Sequence, residues 1–168
     1  MALAITGTGN GSLNNLALSA NTGTIVDTGR AGGIVQVVQN TYATQERTGS
    51  NTLIDTGLNA TITPTSSSNK ILVFVQQSGC YKDSTSTKGT IRLYRGTTFI
   101  QMIDNNFAFN QGNLANSIGS INGVYLDSPA TTSAITYKTQ FSSVNNSVWV
   151  YIQVASETST MTLMEIVA

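Results

Sequence analysis

The chain contains no histidine. That absence removes Ser-His-Asp and Cys-His catalysis and most zinc sites, which need an imidazole as base or ligand. There is one cysteine, Cys80, so no disulfide forms within the chain. It reads as a buried or half-buried thiol, with no low-pKa setting visible around it. Charge is scarce. Eight basic and eight acidic residues, 10% of the chain, sum to zero, against about 25% charged residues in ordinary domains. No basic patch is legible, which argues against nucleic acid and anionic membrane as partners. Long apolar runs are missing too. The longest, Ile71-Leu72-Val73-Phe74-Val75, is too short to span a membrane, and no segment sustains a helical period. Residues 1–7, Met-Ala-Leu-Ala-Ile-Thr-Gly, lack a basic n-region and a long apolar core, so no signal peptide is read there. The sequons at Asn10, Asn59 and Asn145 therefore carry little meaning.

What the chain has instead is neutral polarity. Ser, Thr and Asn make up about a third of the 168 residues, far above ordinary usage. A surface solvated by such groups has little charge repulsion to keep it monomeric and suits a protein that lives in an assembly. The length fits one domain, divided here into an extended N-terminal arm, residues 1–33, and a folded body, residues 34–168. The arm holds Leu13, Leu16 and Leu18, too little for a core. Its Gly7-Thr8-Gly9-Asn10-Gly11-Ser12 is not a phosphate-binding loop: no strand precedes it, no helical pattern follows, and no Gly-Lys-Ser/Thr closes it.

The body reads as short strands between Gly, Asn and Ser turns. Residues 34–39 open it, and a polar connection at 40–50 holds Tyr42, Glu46 and Arg47. Leu58, Ala60 and Ile62 alternate with polar residues as in a half-buried strand. After a polar turn containing Pro64, Ile71, Val73 and Val75 point to one face of a central strand and Leu72 and Phe74 to the other. A polar loop is expected at 80–89. Residues 90–94 and 99–103 form a hairpin about Arg95-Gly96-Thr97-Thr98. The longest polar loop spans 104–117. Strands follow at 118–126, at 135–141, at 148–154 (with Trp149 and Tyr151 on one face) and at 160–167. This pattern predicts an all-β sandwich or barrel. Several strands are apolar on both faces, and a neighbouring subunit is the simplest cover for the second face.

The order of pieces resembles a family of small phage virion structural proteins common in marine and cyanobacterial phages. The resemblance rests on Ile34-Val35-Gln36-Val37-Val38, on Asp55-Thr56-Gly57-Leu58-Asn59-Ala60-Thr61-Ile62-Thr63-Pro64, and on Ser66-Ser67-Ser68-Asn69-Lys70-Ile71-Leu72-Val73. It continues through Leu93-Tyr94-Arg95-Gly96-Thr97, Tyr125-Leu126-Asp127-Ser128-Pro129-Ala130-Thr131-Thr132, Thr136-Tyr137-Lys138, and Ser159-Thr160-Met161-Thr162-Leu163-Met164-Glu165-Ile166. It covers roughly residues 34–168. It implies a jelly-roll-like antiparallel β-sandwich, assembled as a homotrimer, on a tail fibre or capsid surface. It implies no enzyme, no catalytic residue, no cofactor and no metal. The protein would be made in the host cytoplasm and reside in the virion. Other virion proteins would hold the arm, and no membrane insertion is expected. Two placements follow: a tail fibre or spike with host-receptor or glycan-binding loops, and a capsid decoration or head fibre.

Candidate receptor or glycan contacts are Tyr81, Lys82 and Asp83 in the first long loop, with Asn105, Asn106, Phe107, Phe109, Asn110 and Gln111 in the second. Aromatic faces stack on sugar rings while amides bond to hydroxyls. The competing reading has Phe107 and Phe109 tucked into the body and the amides satisfying loop backbone. Trp149 reads as core or subunit interface rather than as a sugar platform. A distant enzyme reading starts from a repeat: Ile25-Val26-Asp27-Thr28-Gly29 is echoed by Leu53-Ile54-Asp55-Thr56-Gly57, the aspartic-protease pattern, whose chemistry needs two carboxylates sharing a proton. The copies lie too close in sequence for two lobes, and Arg30 and Leu58 replace the usual Ala or Ser continuation. Asp83, Asp104 and Asp127 do not form a ligand-spaced calcium loop. Asp127, before Ser-Pro, reads as a turn former.

Overall fold

Alternation of β-branched and apolar residues from Ile71 onward builds the longest strand, and the rest of the fold is hung on it. The computed structural model describes residues 31–108 and 118–168. Residues 1–30, most of the expected arm and the first Asp-Thr-Gly copy with it, lie outside the described residues, as do 109–117. Ten strands are described: β1 (Ile34–Tyr42), β2 (Glu46–Thr48), β3 (Ile54–Ile62), β4 (Lys70–Lys82), β5 (Gly89–Arg95), β6 (Thr98–Phe107), β7 (Gly119–Asp127), β8 (Ile135–Ser143), β9 (Val150–Ile152) and β10 (Ser159–Ile166).

They form two antiparallel sheets. One has the order β1-β10-β4, with β7 on the far side of β4; β9 and β2 extend it where β4 outruns β10. The other has the order β3-β8-β5-β6. Apart from the β5–β6 hairpin and the β1–β2 and β9–β10 links, which stay within one sheet, each connection crosses from one sheet to the other, so β1-β10-β4-β7 faces β3-β8-β5-β6. That is the jelly-roll arrangement of two Greek keys, and the expected fold class holds.

Ile71, Val73 and Val75 of β4 pack inward with Leu163 and Met161 of β10 against Leu58, Ala60 and Ile62 of β3. Each large buried side chain contributes about 1.5–3 kcal/mol. A second apolar cluster joins Cys80, Ile91, Phe107, Phe141, Val150 and Ile152. Between the clusters runs a buried polar relay. Thr56 and Thr139 are 2.5 Å apart through their hydroxyls, Thr139 donates to Gln77 Oε1 at 3.0 Å, and Gln77 Nε2 donates to Ser159 Oγ at 2.9 Å. The relay runs from β3 and β8 in one sheet to β4 and β10 in the other, and pins their relative position.

Several expected boundaries need correction. β4 runs on through Lys82, so Cys80, Tyr81 and Lys82 belong to a strand and not to the expected 80–89 loop. β6 runs on to Phe107, which shortens the loop expected from residue 104. The polar connection after β1 contains β2, whose Arg47 pairs with Tyr151 of β9. β9 covers only Val150–Ile152, because the chain takes left-handed backbone at Gln153, Ala155 and Ser156 and re-enters the sheet as β10. Asp55-Thr56-Gly57 lies within β3: Gly57 sits there at φ 84 under the ring of Tyr42, where a Cβ would stand 2.1 Å from a ring carbon.

The topology divides the molecule into two ends. At one end the chain enters β1, tied to its own C-terminal strand by Gly32 N–H to Val167 O at 2.8 Å and Val167 N–H to Gly33 O at 2.9 Å. The connections 63–69, 96–97 and 128–134 lie at this end too. At the opposite end lie the connections 43–53, 83–88 and 144–149, with the end of β6 and the start of β7 beside them. Among the described residues no helix is long and apolar enough to cross a membrane.

Candidate functional site

The entry end is closed by two carboxylates. Glu165 of β10 is fully buried and accepts from Gln36 Nε2 at 2.6 Å, Asn69 Nδ2 at 2.7 Å, and Thr65 through its N–H at 2.7 Å and its hydroxyl at 2.8 Å. Burial by itself would raise its pKa, but these donors outweigh it and hold the carboxyl at about 2. The bonds tie the β3–β4 connection to the sheet. Asp127, read as a turn former, does end β7, but its carboxylate turns inward. Its Oδ2 accepts from Arg95 Nη1 and from Tyr137 OH, both at 2.6 Å. This end is therefore a stiff base, with no group offered to a ligand by these acids.

The opposite end is built from interlocked loops. Ser147 N–H donates to Gly49 O at 2.7 Å, Ser143 N–H to Ser50 O at 2.9 Å, and Val144 N–H to Lys88 O at 3.0 Å; Asn145 Nδ2 donates to Ser86 O. The 83–88 connection is held from below by Lys82. Only 2% exposed, Lys82 sends its ammonium to Thr87 O at 3.0 Å. Lys82 is thus a loop anchor, not a surface contact, which corrects its place among the candidate glycan residues. Phe107 is corrected likewise: it is 3% exposed, its ring fills the space above Gly89, and a Cβ there would fall 1.9 Å from a ring carbon. The competing reading, a tucked aromatic, describes Phe107. Phe109, Asn110 and Gln111 lie outside the described residues.

The remaining candidates are at the surface. Asn105 and Asn106 are exposed; Asn105 accepts from Thr90 at 3.0 Å and the Asn106 N–H donates to Asp104 at 2.6 Å. Asn106 lines a cleft of about 250 Å³ between β4, β6 and β7, with Cys80 and Phe107 on its walls. The Cys80 thiol is pushed up to about 12, by burial first and then by the charges of Asp104 and Glu157. It is a poor nucleophile at neutral pH.

Tyr81 and Asp83 belong to a different surface from Asn105 and Asn106. Register puts Arg47 (β2), Tyr151 (β9) and Tyr81 (β4) side by side across three strands, on the sheet face that turns away from the core. The residues opposite them, Thr48, Val150 and Lys82, are buried. Trp149 and Asp83 continue the same face one step beyond. The Tyr81 and Tyr151 rings lie 5.2 Å apart, Tyr151 OH donates to Asp83 Oδ2 at 3.2 Å, and Arg47 Cζ stands 4.6 Å over the Trp149 ring. Trp149 is 39% exposed, so of its two expected places, core or subunit interface, the core is excluded. Sequence reasoning missed Arg47 and Tyr151. The shared face of Trp149 and Tyr151 was legible, but the strand that brings Arg47 beside them was hidden in a polar connection.

The protease pattern finds no support at Asp55. Its carboxylate is taken by Lys138 Nζ at 2.8 Å and Gln140 Nε2 at 2.7 Å on the outer face of the second sheet. Burial is the largest single influence and raises its pKa, but Lys138 and Gln140 together lower it more, the reverse of a proton-sharing acid. Asp27 lies outside the described residues. Among the described residues no three His, Cys, Asp or Glu side chains are grouped to hold a metal ion.

No family model matches the chain, and no curated protein matches it. Among solved structures, the VP2 subviral particle of infectious bursal disease virus is similar over 79% of this chain, at 12% identity and a TM-score of 0.45. A structure of the Gx strain of the same virus is similar over 79% at 14% identity, with a TM-score of 0.33. The chain spans 38% of the length of each of those proteins.

Proposed function

We propose that this chain is a non-enzymatic structural component of a phage particle, a homotrimer in a tail fibre or spike. Its entry end and the residues before it join another virion protein, and its loop end points outward. The observation that carries this reading is the outer face of the first sheet. Across the four strands runs the row Val37, Met164, Leu72, Leu126, and beside it the row Gln39, Thr162, Phe74, Val124. Val124 is 55% exposed and Phe74 37% exposed, and neither row holds a charged side chain. An uncharged face on which six of these eight residues are apolar, with Gln39 bonded to Thr162 between them, is the usual mark of a subunit contact. It is the second apolar face that the strand pattern required to be covered. The resemblance over residues 34–168 supports the virion setting, and the place of the 43–53, 83–88 and 144–149 loops at the end away from chain entry supports the orientation.

Size exclusion with light scattering on the purified chain, followed by antibody labelling of intact phage particles, tests the reading. A trimer and labelling at the tail agree with it. A monomer removes the trimeric assembly, and labelling over the head transfers the protein to capsid decoration.

A further inference from the structure

The same outer face changes character toward the loop end. From Phe74 to Tyr81 is about 23 Å along β4 at ~3.3 Å per residue. Between them lies a polar row, Thr41, Thr160, Gln76 and Asn122. A bulge between Gln77 and Cys80 follows, and bulges bend a strand and re-aim its side chains. Beyond it the face carries Arg47, Trp149, Tyr151, Tyr81 and Asp83, none of which belongs to the apolar rows. We propose that this aromatic face is a binding site for a neutral saccharide. The proposal rests on the outward presentation of the loop end proposed above, and it names the ligand class and the residues.

The chemistry is complementary group by group. Tyr81 comes from β4 and Tyr151 from β9, with Trp149 just before β9, and the two tyrosine rings are tilted 57° to one another, so they form an open, faceted shelf rather than a pocket, with the tyrosine rings turned to the apolar C–H face of a pyranose. Arg47, stacked on Trp149, spends the face of its guanidinium on the ring and keeps its N–H edges for hydroxyls. It makes no salt bridge among the described residues. Asp83 is exposed at the other side of the shelf and accepts from Tyr151, leaving acceptor capacity for a second hydroxyl. One guanidinium and one carboxylate cancel, so the shelf carries no net charge to favour an acidic sugar or a charged peptide. The shelf is rigid, because Trp149 rests on Gly49, with ring atoms 3.3–3.5 Å from where a Cβ would stand, and the backbone of Asp83 bonds to Trp149 O. Preorganised aromatic contacts of this kind cost little ordering entropy on binding.

Trp149 is the only tryptophan in the chain, so its fluorescence reports on this shelf alone. The full-length protein is titrated with neutral oligosaccharides of hexose and N-acetylhexosamine, and in parallel with sialylated and uronate oligosaccharides. A saturable change in Trp149 emission with a neutral set is expected, weakened at least tenfold in Asp83→Asn and in Arg47→Ala. Both variants change exposed side chains and keep the wild-type far-UV circular dichroism. No response to any neutral saccharide, a response confined to acidic ones, or equal affinity in both variants overturns the proposal. A monomer in light scattering with a positive titration defeats the trimer but not the shelf; a trimer with a blank titration defeats the shelf alone.

Discussion

Tyr137 of β8 and Asp127 of β7 are hydrogen-bonded at 2.6 Å across the sandwich, from one sheet to the other. Arg95 of β5 donates to the same carboxylate oxygen. Three residues read from sequence as strand, turn and hairpin thus form one inter-sheet tie at the entry end. Tyr137→Phe removes one donor from a buried carboxylate, and the expected loss is about 1–3 kcal/mol in urea unfolding. Asp127→Ala, which strands Arg95 as well, costs more. Burial raises the Tyr137 pKa above its ordinary value, and the neighbouring Asp127 charge adds to this despite Arg95. A raised acid stabilises below its unfolded pKa, so stability falls as pH rises beyond about 10. Thermal melts of wild type and Tyr137→Phe between pH 8 and 11 check this: the variant has the flatter profile.

Glu165 gives the opposite slope. Its pKa falls from 4.5 to about 2 on folding, so its contribution is complete above the unfolded value and is lost as pH falls from about 4.5 toward 2. Glu165→Gln keeps the shape and removes the charge. It is expected to lower the melting temperature at pH 7 and to show a shallower loss between pH 5 and pH 2. Identical acid profiles for the two proteins would contradict the assignment.

Gly89 and Phe107 form a space-filling pair. Gly89→Ala forces the ring off its seat, at an expected cost of about 1–3 kcal/mol. Chemical unfolding measures the loss, and a changed near-UV circular dichroism spectrum locates it at an aromatic side chain.

The apolar outer face predicts a change of assembly without a change of fold. Val124→Asp places a charge in the uncharged rows of β7 and β4. Light scattering is expected to give a monomer, while far-UV circular dichroism stays that of the wild type. If the wild type is the proposed trimer, a variant of the same mass moves the subunit contact to another surface.

Asp55→Asn loses only a half-exposed ion pair with Lys138, worth roughly 0–1 kcal/mol. Its unfolding midpoint should move little. Any acid-optimum peptide cleavage by the wild type that this variant lacks would revive the protease reading.

Much of the fold is legible in local pattern. Ile71, Val73 and Val75, or Leu58, Ala60 and Ile62, alternate with period two, and that period reflects the pleat of a single strand. The failures come where the alternating residues are polar. Cys80 and Lys82 continue the inward face of β4, but Lys82 in a run of Tyr, Asp and Ser reads as loop until its ammonium is seen against Thr87 O. Arg47 sits in a three-residue strand with no apolar alternation at all, so only its pairing with β9 reveals it.

The sequence by itself determined an all-β body, the lack of any imidazole chemistry and a sparsely charged chain, because composition and period-two alternation act within one strand at a time. Only the tertiary structure decided the rest. It turned Asp127 and Glu165 inward, buried Phe107, brought Arg47, Tyr151 and Tyr81 into one row, and put the 83–88 and 144–149 loops at the end away from chain entry. Those outcomes depend on which distant strands pair and in what register, and pairing energy is shared across the whole sheet rather than written in any one segment.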